Sequence, residues 1–143
     1  MEHPALFSAA AAGRADELER LLKDGADADE KNAAGMTALM TAARGGCLDV
    51  MRLLIAAGAD VDLFNDKYET CALFQAMAWR NLEALKVLTD AGANVNIAGK
   101  NGFTALMHAA YKADRPMIQH LVAQGADIRA KNSDGQTALD IFK

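Results

Sequence analysis

Apolar side chains recur along this chain in short helical bursts separated by glycine. Ala38, Leu39, Met40, Ala42 and Ala43 run up to Gly45-Gly46, and Val50, Met51, Leu53 and Leu54 run up to Gly58. Spacings of one, three and four residues place each set on one helical face. The pattern therefore predicts a first helix over 38–44, a glycine break, and a second helix over 48–57 that Gly58 stops. Thr37, Thr104 and Thr137 stand just ahead of such bursts, where a hydroxyl can accept from the free amides of a first turn. The stretch 58–70 is turn-prone and has no helical period, so it is expected to project as an extended finger.

The bursts repeat. Gly-Ala-Asp or Gly-Ala-Asn occurs at Gly25, Gly58, Gly92 and Gly125, with spacings of 33, 34 and 33. Ala-Leu pairs at Ala5, Ala38, Ala72 and Ala105 each precede one of these glycines by 20 residues, and a fifth pair begins at Ala138. The extra residue of the longer spacing therefore falls between Gly58 and Ala72, in the connection 62–69. A fixed period near 33 is the mark of a stacked repeat. Helices this short are not stable alone in water, so the Ala and Leu faces must be buried against neighbouring repeats.

Composition narrows the class further. The 143 residues include 31 Ala and 16 Leu but only 10 Val and Ile together, which excludes an all-β fold. Fifteen Lys and Arg against 19 Asp and Glu leave a net charge of −4, the wrong sign for a protein whose main business is nucleic-acid phosphate or anionic lipid. No disulfide framework can be built from Cys47 and Cys71, which are expected to be reduced thiols. Residues 5–13 resemble the apolar part of a signal peptide, but no Lys or Arg precedes them, Glu2 is acidic, and they fall in register with the repeat. The longest apolar run elsewhere, 53–59, is far short of the ~20 residues that span a bilayer. A soluble, cytoplasmic protein that contacts neither membrane nor nucleic acid is expected.

The second period, with Asn32, Gly35, Thr37-Ala38-Leu39-Met40, Ala42-Ala43, Gly46, Asp49-Val50, Leu53-Leu54-Ile55 and Gly58-Ala59-Asp60-Val61, resembles the ankyrin repeat at most of its signature places. The resemblance implies an all-α solenoid of stacked helix-turn-helix units with β-hairpin fingers. It gives a single ankyrin repeat domain, 1–143, in four full repeats (about 1–31, 32–65, 66–98 and 99–131) and a truncated fifth as a partial cap, 132–143. Several departures stand out. Ala replaces the signature Pro, and the signature His position holds Met40, Phe74, Met107 or Asp140, so apolar packing is expected in place of the family's Thr–His link. The third repeat has Cys71 for Thr, Glu69 for the finger glycine and Arg80 for the glycine between helices. At the C-terminal end, Leu139, Ile141 and Phe142 form a minimal cap, or the chain continues, or a partner or second copy covers it.

Catalytic, metal-binding and cofactor-binding constellations are not expected. His3, His108 and His120 lack ligand spacing, His120 takes the half-core place of Leu53 and Val87, and no phosphate-binding or nucleophile motif occurs. Asp24, Asp27, Asp60 and Asp90 cluster at the Gly-Ala-Asp loops, where turn stabilisation accounts for them.

The resemblance implies a concave surface of fingers and first helices that docks proteins. Register places on it Met36, Lys67, Tyr68, Lys100 and Phe103 from fingers and Arg44, Trp79, Arg80, Tyr111 and Lys112 from the ends of first helices. Tyr68, Trp79, Phe103 and Tyr111 are not needed for the repeats' own core, and aromatics beside Arg are typical of interface hot spots. With Arg44, Lys67, Arg80, Lys100 and Lys112 opposed mainly by Asp66 and Glu69, the groove is expected to favour an acidic protein surface. The reading is a non-catalytic protein-interaction module. A dedicated inhibitor or immunity protein of one enzyme or toxin is the alternative, and self-association through the C-terminal end stays open.

Overall fold

The computed structural model describes residues 4–142, so Glu2 and His3 lie outside the described residues. The chain divides into two units, one running to Gly92 and the other starting at Ala93. The first contains α1 (Pro4–Ala12), α2 (Ala15–Lys23), α3 (Ala38–Gly45), α4 (Leu48–Ala56), β1 (Phe64–Asn65), β2 (Thr70–Cys71), α5 (Ala72–Ala78) and α6 (Leu82–Asp90). First helices form one row, α1 on α3 and α3 on α5, and second helices another, α2 on α4 and α4 on α6. Between the rows lies a core of Leu6, Leu18, Leu39, Met40, Met51, Leu54, Leu73, Leu85 and Leu88, with Ala9, Ala10, Ala42, Ala43 and Ala76 allowing close approach. In the second unit, α7 (Ala105–Tyr111) packs on α8 (Arg115–Ala123) and on α9 (Ala138–Phe142). Leu106, Met107, Met117 and Leu121 are buried there.

Helix starts follow the residue chemistry. Thr37 and Thr104 accept at their hydroxyls from the amides of Met40 and Met107, at 3.2 and 3.3 Å. Each second helix is entered through a left-handed residue, Gly13, Gly46, Arg80 or Ala113. Asn81 and Asp114, the residues after two of these, cap α6 and α8 by accepting from the amides of Ala84 and Met117. At Gly46 (φ +69°) a Cβ would also displace the Asn81 Nδ2 of the next inter-helix turn.

The fingers are less strand-like than expected. Phe64 pairs with Cys71 and Asn65 with Thr70 in one two-stranded hairpin, while the neighbouring fingers make single bridges, Lys31 with Thr37 and Ala98 with Thr104. The inserted residue of the third repeat sits in the hairpin turn, where Glu69 takes the left-handed place (φ +51°) that Gly35 holds in the second finger. Gly45 is helical rather than a breaker, so the break rests on Gly46 alone. Leu53 is half-buried.

Candidate functional site

In the first unit, Trp79 directly follows α5 and is 58% exposed. The Arg44 guanidinium, from the end of α3, lies 5.2 Å from its ring centroid. Arg80 follows in the left-handed conformation (φ +53°) and is exposed. On the hairpin turn, Tyr68 is 55% exposed with the Lys67 ammonium 5.2 Å from its ring centre. Cation–π contacts at exposed sites contribute only about 0.5–1 kcal/mol, so they orient these side chains more than they hold the fold. Met36 differs from the sequence expectation: it is half-buried, and its Sδ accepts from Asn65 Nδ2 at 3.5 Å, which folds it against the next finger.

The second unit carries the other four predicted residues. Tyr111, the last residue of α7, is 77% exposed, and Lys100 is exposed on the finger turn. Phe103 departs from the expectation of a free aromatic: it is half-buried, edge-on to His108 with ring centres 4.7 Å apart. Burial, reinforced by the Lys112 charge, holds the His108 pKa below its usual 6.5. A neutral imidazole against Phe103 is thus favoured. Lys112 is half-buried beside it.

Residues 6–99 match the family description "Ankyrin repeats (3 copies)" and residues 88–142 match "Ankyrin repeats (many copies)". This chain belongs to the ankyrin repeat family. Bovine mitochondrial disaggregase is 36% identical over 138 residues, 95% of this chain and 20% of that protein. Human ankyrin repeat and SOCS box protein 6 is 41% identical over 64 residues, 41% of this chain and 15% of that protein. Mouse protein phosphatase 1 regulatory subunit 27 is 39% identical over 71 residues, 50% of this chain and 46% of that protein. The chain thus spans a fifth or less of the first two relatives and just under half of the third. Ankyrin repeats are protein–protein interaction modules, and within this all-α fold the pattern of departures becomes readable.

The ankyrin Thr–His link is replaced in two ways. Met107 Sδ accepts from the Thr104 amide at 3.5 Å, so sulfur closes a capping box. In the fifth repeat the expectation of apolar packing fails: Asp140 Oδ2 accepts from both the Thr137 hydroxyl and amide, at 3.1 and 2.9 Å, and the link stays polar.

A set of asparagines went unread in the sequence although its period is visible. Asn32, Asn65 and Asn132 open three fingers, and Oδ1 of each accepts two backbone amides of its own turn: Ala34 and Met36, Lys67 and Tyr68, Asp134 and Gln136. Asn65 is buried and also donates to the Ala34 carbonyl at 2.9 Å, tying the second finger to the third. It thereby fixes the backbone under Lys67 and Tyr68. Asp27 and Asp60 accept amides two residues on, and Asp29 accepts from the Asp60 amide of the next repeat, so these carboxylates brace turns. Both cysteines are free thiols; burial pushes Cys71 up to about 11, which keeps it protonated and unreactive at neutral pH. Among the described residues no cluster of three or more His, Cys, Asp or Glu could hold a metal ion, and no helix is long and apolar enough to cross a membrane.

Proposed function

We propose that this chain is a non-catalytic binding module that holds a protein partner through the finger and first-helix faces of its repeats. The observation that carries the reading is the exposure of Trp79 and Tyr68 beside cations, and of Tyr111, in repeats whose cores are complete without them. Large aromatics cost free energy when left in water, and burying one against a partner can contribute ~2 kcal/mol or more. In the first unit the anchors are Trp79 with Arg44 and Arg80, and Tyr68 with Lys67; Met36 contributes only its half-exposed edge. In the second they are Tyr111, Lys100 and Lys112, with Phe103 as a fixed wall. The cations on both faces favour a partner surface rich in Asp and Glu, within a chain of net charge −4 that is too acidic overall for nucleic acid. A cytoplasmic location goes with this reading and with two reduced thiols.

The test is capture of partners from host lysate by the intact chain and by a Tyr68→Ala, Trp79→Ala, Tyr111→Ala variant, followed by titration calorimetry on the protein recovered. Exposed side chains can be removed without unfolding, so the variant should melt like the parent. Loss of capture is expected, with affinity that weakens as salt is raised; undiminished capture by the variant would overturn the site. The mouse relative's name, a phosphatase regulatory subunit, favours a second version in which the partner is a single enzyme; an inhibitor is the form of regulator that this version takes. A single target bound at nanomolar Kd with its activity blocked would distinguish that inhibitor from an adaptor that binds several partners more weakly.

A further inference from the structure

The fourth finger differs from the others in what holds it. Asn32, Asn65 and Asn132 brace the second, third and fifth fingers through their Oδ1 atoms, whereas Gly99 stands at that register in the fourth and has no side chain to do so. The same finger carries Asn101-Gly102, the one Asn-Gly dipeptide in the sequence. Asn101 is exposed and takes the left-handed conformation (φ +61°, ψ +23°), which asparagine tolerates better than most side chains. At the same place the second finger has Ala34 and the fifth has Asp134.

An asparagine followed by glycine is chemically labile, because glycine has no Cβ to keep its amide nitrogen away from the preceding side chain. Once the Gly102 nitrogen gives its proton to hydroxide it can attack Asn101 Cγ: the N–Cγ bond forms, the Cγ–Nδ2 bond breaks, and ammonia leaves. Water then opens the succinimide at either carbonyl, giving aspartate or, with the main chain rerouted through the side chain, isoaspartate. The folded finger opposes the first step. At ψ +23° the Gly102 nitrogen points away from Cβ, so the peptide unit joining the two residues must turn over before ring closure. Two hydrogen bonds hold that unit: its N–H donates to the Gly99 carbonyl at 3.1 Å, and its C=O accepts from the Ser133 amide of the fifth finger at 2.8 Å. The fifth finger comes this close because residue 102 is glycine, since a Cβ there would lie 3.3 Å from Asn132 Cα. The glycine that makes Asn101 labile is thus the one that lets its restraint approach.

We propose that Asn101 is a site of spontaneous deamidation, and that the Ser133 amide is the latch that sets its rate. A finger with no side-chain brace opens locally more readily than its neighbours, and each opening frees the peptide unit to turn. The product puts a new carboxylate beside Lys100 and cancels the charge of this finger. What that does to a partner rests on the function proposed above; the chemistry does not.

The test is incubation of the intact chain in mildly alkaline buffer at physiological temperature, followed over weeks by peptide mass spectrometry, with isoaspartyl methyltransferase labelling to detect the rerouted product. Asn101 should be the first asparagine converted, and its conversion in concentrated urea should be at least tenfold faster than in the folded chain. Ser133 is the second residue of a turn closed by the Gly135 amide on the Asn132 carbonyl, a place that accepts proline. Ser133→Pro therefore removes the latch donor while suiting its own turn, and should raise the rate at Asn101 at least fivefold, read well below the melting temperature of either protein. Amide hydrogen exchange gives a second reading that needs no variant: Gly102 should exchange faster than Gly35 and Gly135, the matching amides of the braced fingers. No conversion, conversion led by another asparagine, equal rates in urea and buffer, a rate unmoved by Ser133→Pro, or a Gly102 amide as protected as Gly35 would each overturn the proposal. None of these readouts involves a partner, so they separate this chemistry from the binding faces.

Discussion

The second and third repeats have nearly the same backbone and opposite priorities. In the second, Gly35 and Gly46 take the left-handed turns at the finger and between helices, and Thr37 caps α3. In the third, Glu69 and Arg80 hold those same turns at φ +51° and +53°, and Cys71 starts α5 with no side-chain cap. A side chain in the left-handed region costs of order 1 kcal/mol, so the third repeat is locally strained where the second is relaxed. What it gains is side chains: Glu69 next to Tyr68, and Arg80 next to Trp79, the most exposed anchors of that unit. Stability given up at the finger and helix ends, and kept in the core beneath, is the pattern expected of a binding surface.

The sharpest way to break the comparison is to take glycine from the relaxed repeat. Gly46→Ala should destabilise by about 2 kcal/mol, since it combines left-handed strain with displacement of the Asn81 cap of α6. Urea unfolding would read this, and a loss under ~0.5 kcal/mol would show that the turn is not as tightly nested as its geometry indicates. Restoring glycine to the strained repeat should do the reverse. Arg80→Gly and Glu69→Gly should each stabilise by about 1 kcal/mol, and Arg80→Gly should weaken partner binding. A variant that gains both stability and affinity would contradict a trade between them.

Cys71→Thr sharpens the comparison at the helix start. The Cys71 backbone is extended, as at Thr37, so a threonine hydroxyl there can cap α5 and add about 0.5–1 kcal/mol. It also removes a pH dependence. Burial raises the thiol from 9.0 to about 11, so the folded state favours the protonated form. That contribution is complete below pH 9 and is lost as pH rises from 9 to 11. Unfolding at alkaline pH should show the loss in the parent and not in Cys71→Thr.

The smallest effect belongs to the second unit. His108 is held below 6.5, so the folded state favours the neutral ring. Its contribution is present above 6.5 and declines as pH falls through the lower folded value. His108→Gln should flatten that acid limb; an unchanged limb would place the titration elsewhere.

Much of this molecule was legible in the sequence because a repeat reports its register several times over. The Gly-Ala-Asp period, the Ala-Leu starts and the threonine caps located eight of the helices in four pairs, and the departures at Glu69, Cys71 and Arg80 were visible as breaks in a pattern. Exposure of Trp79, Tyr68 and Tyr111 followed from register as well. Met36 and Phe103 did not, because whether a finger side chain stands free depends on what the neighbouring finger or helix offers: Asn65 Nδ2 for one, the His108 ring for the other. Asn65 was hidden for the same reason, since its bond to Ala34 spans 31 residues.

The sequence by itself determined the repeat, its helical class and the places where side chains depart from it, because local periodicity and turn chemistry are set by residues a few positions apart. Only the tertiary structure decided which departures fold inward, how Asn65 ties its finger to the one before it, and how the Ser133 amide holds the Asn101 carbonyl. Those outcomes depend on contacts between separate elements, and one-dimensional spacing does not encode which neighbour a side chain will meet.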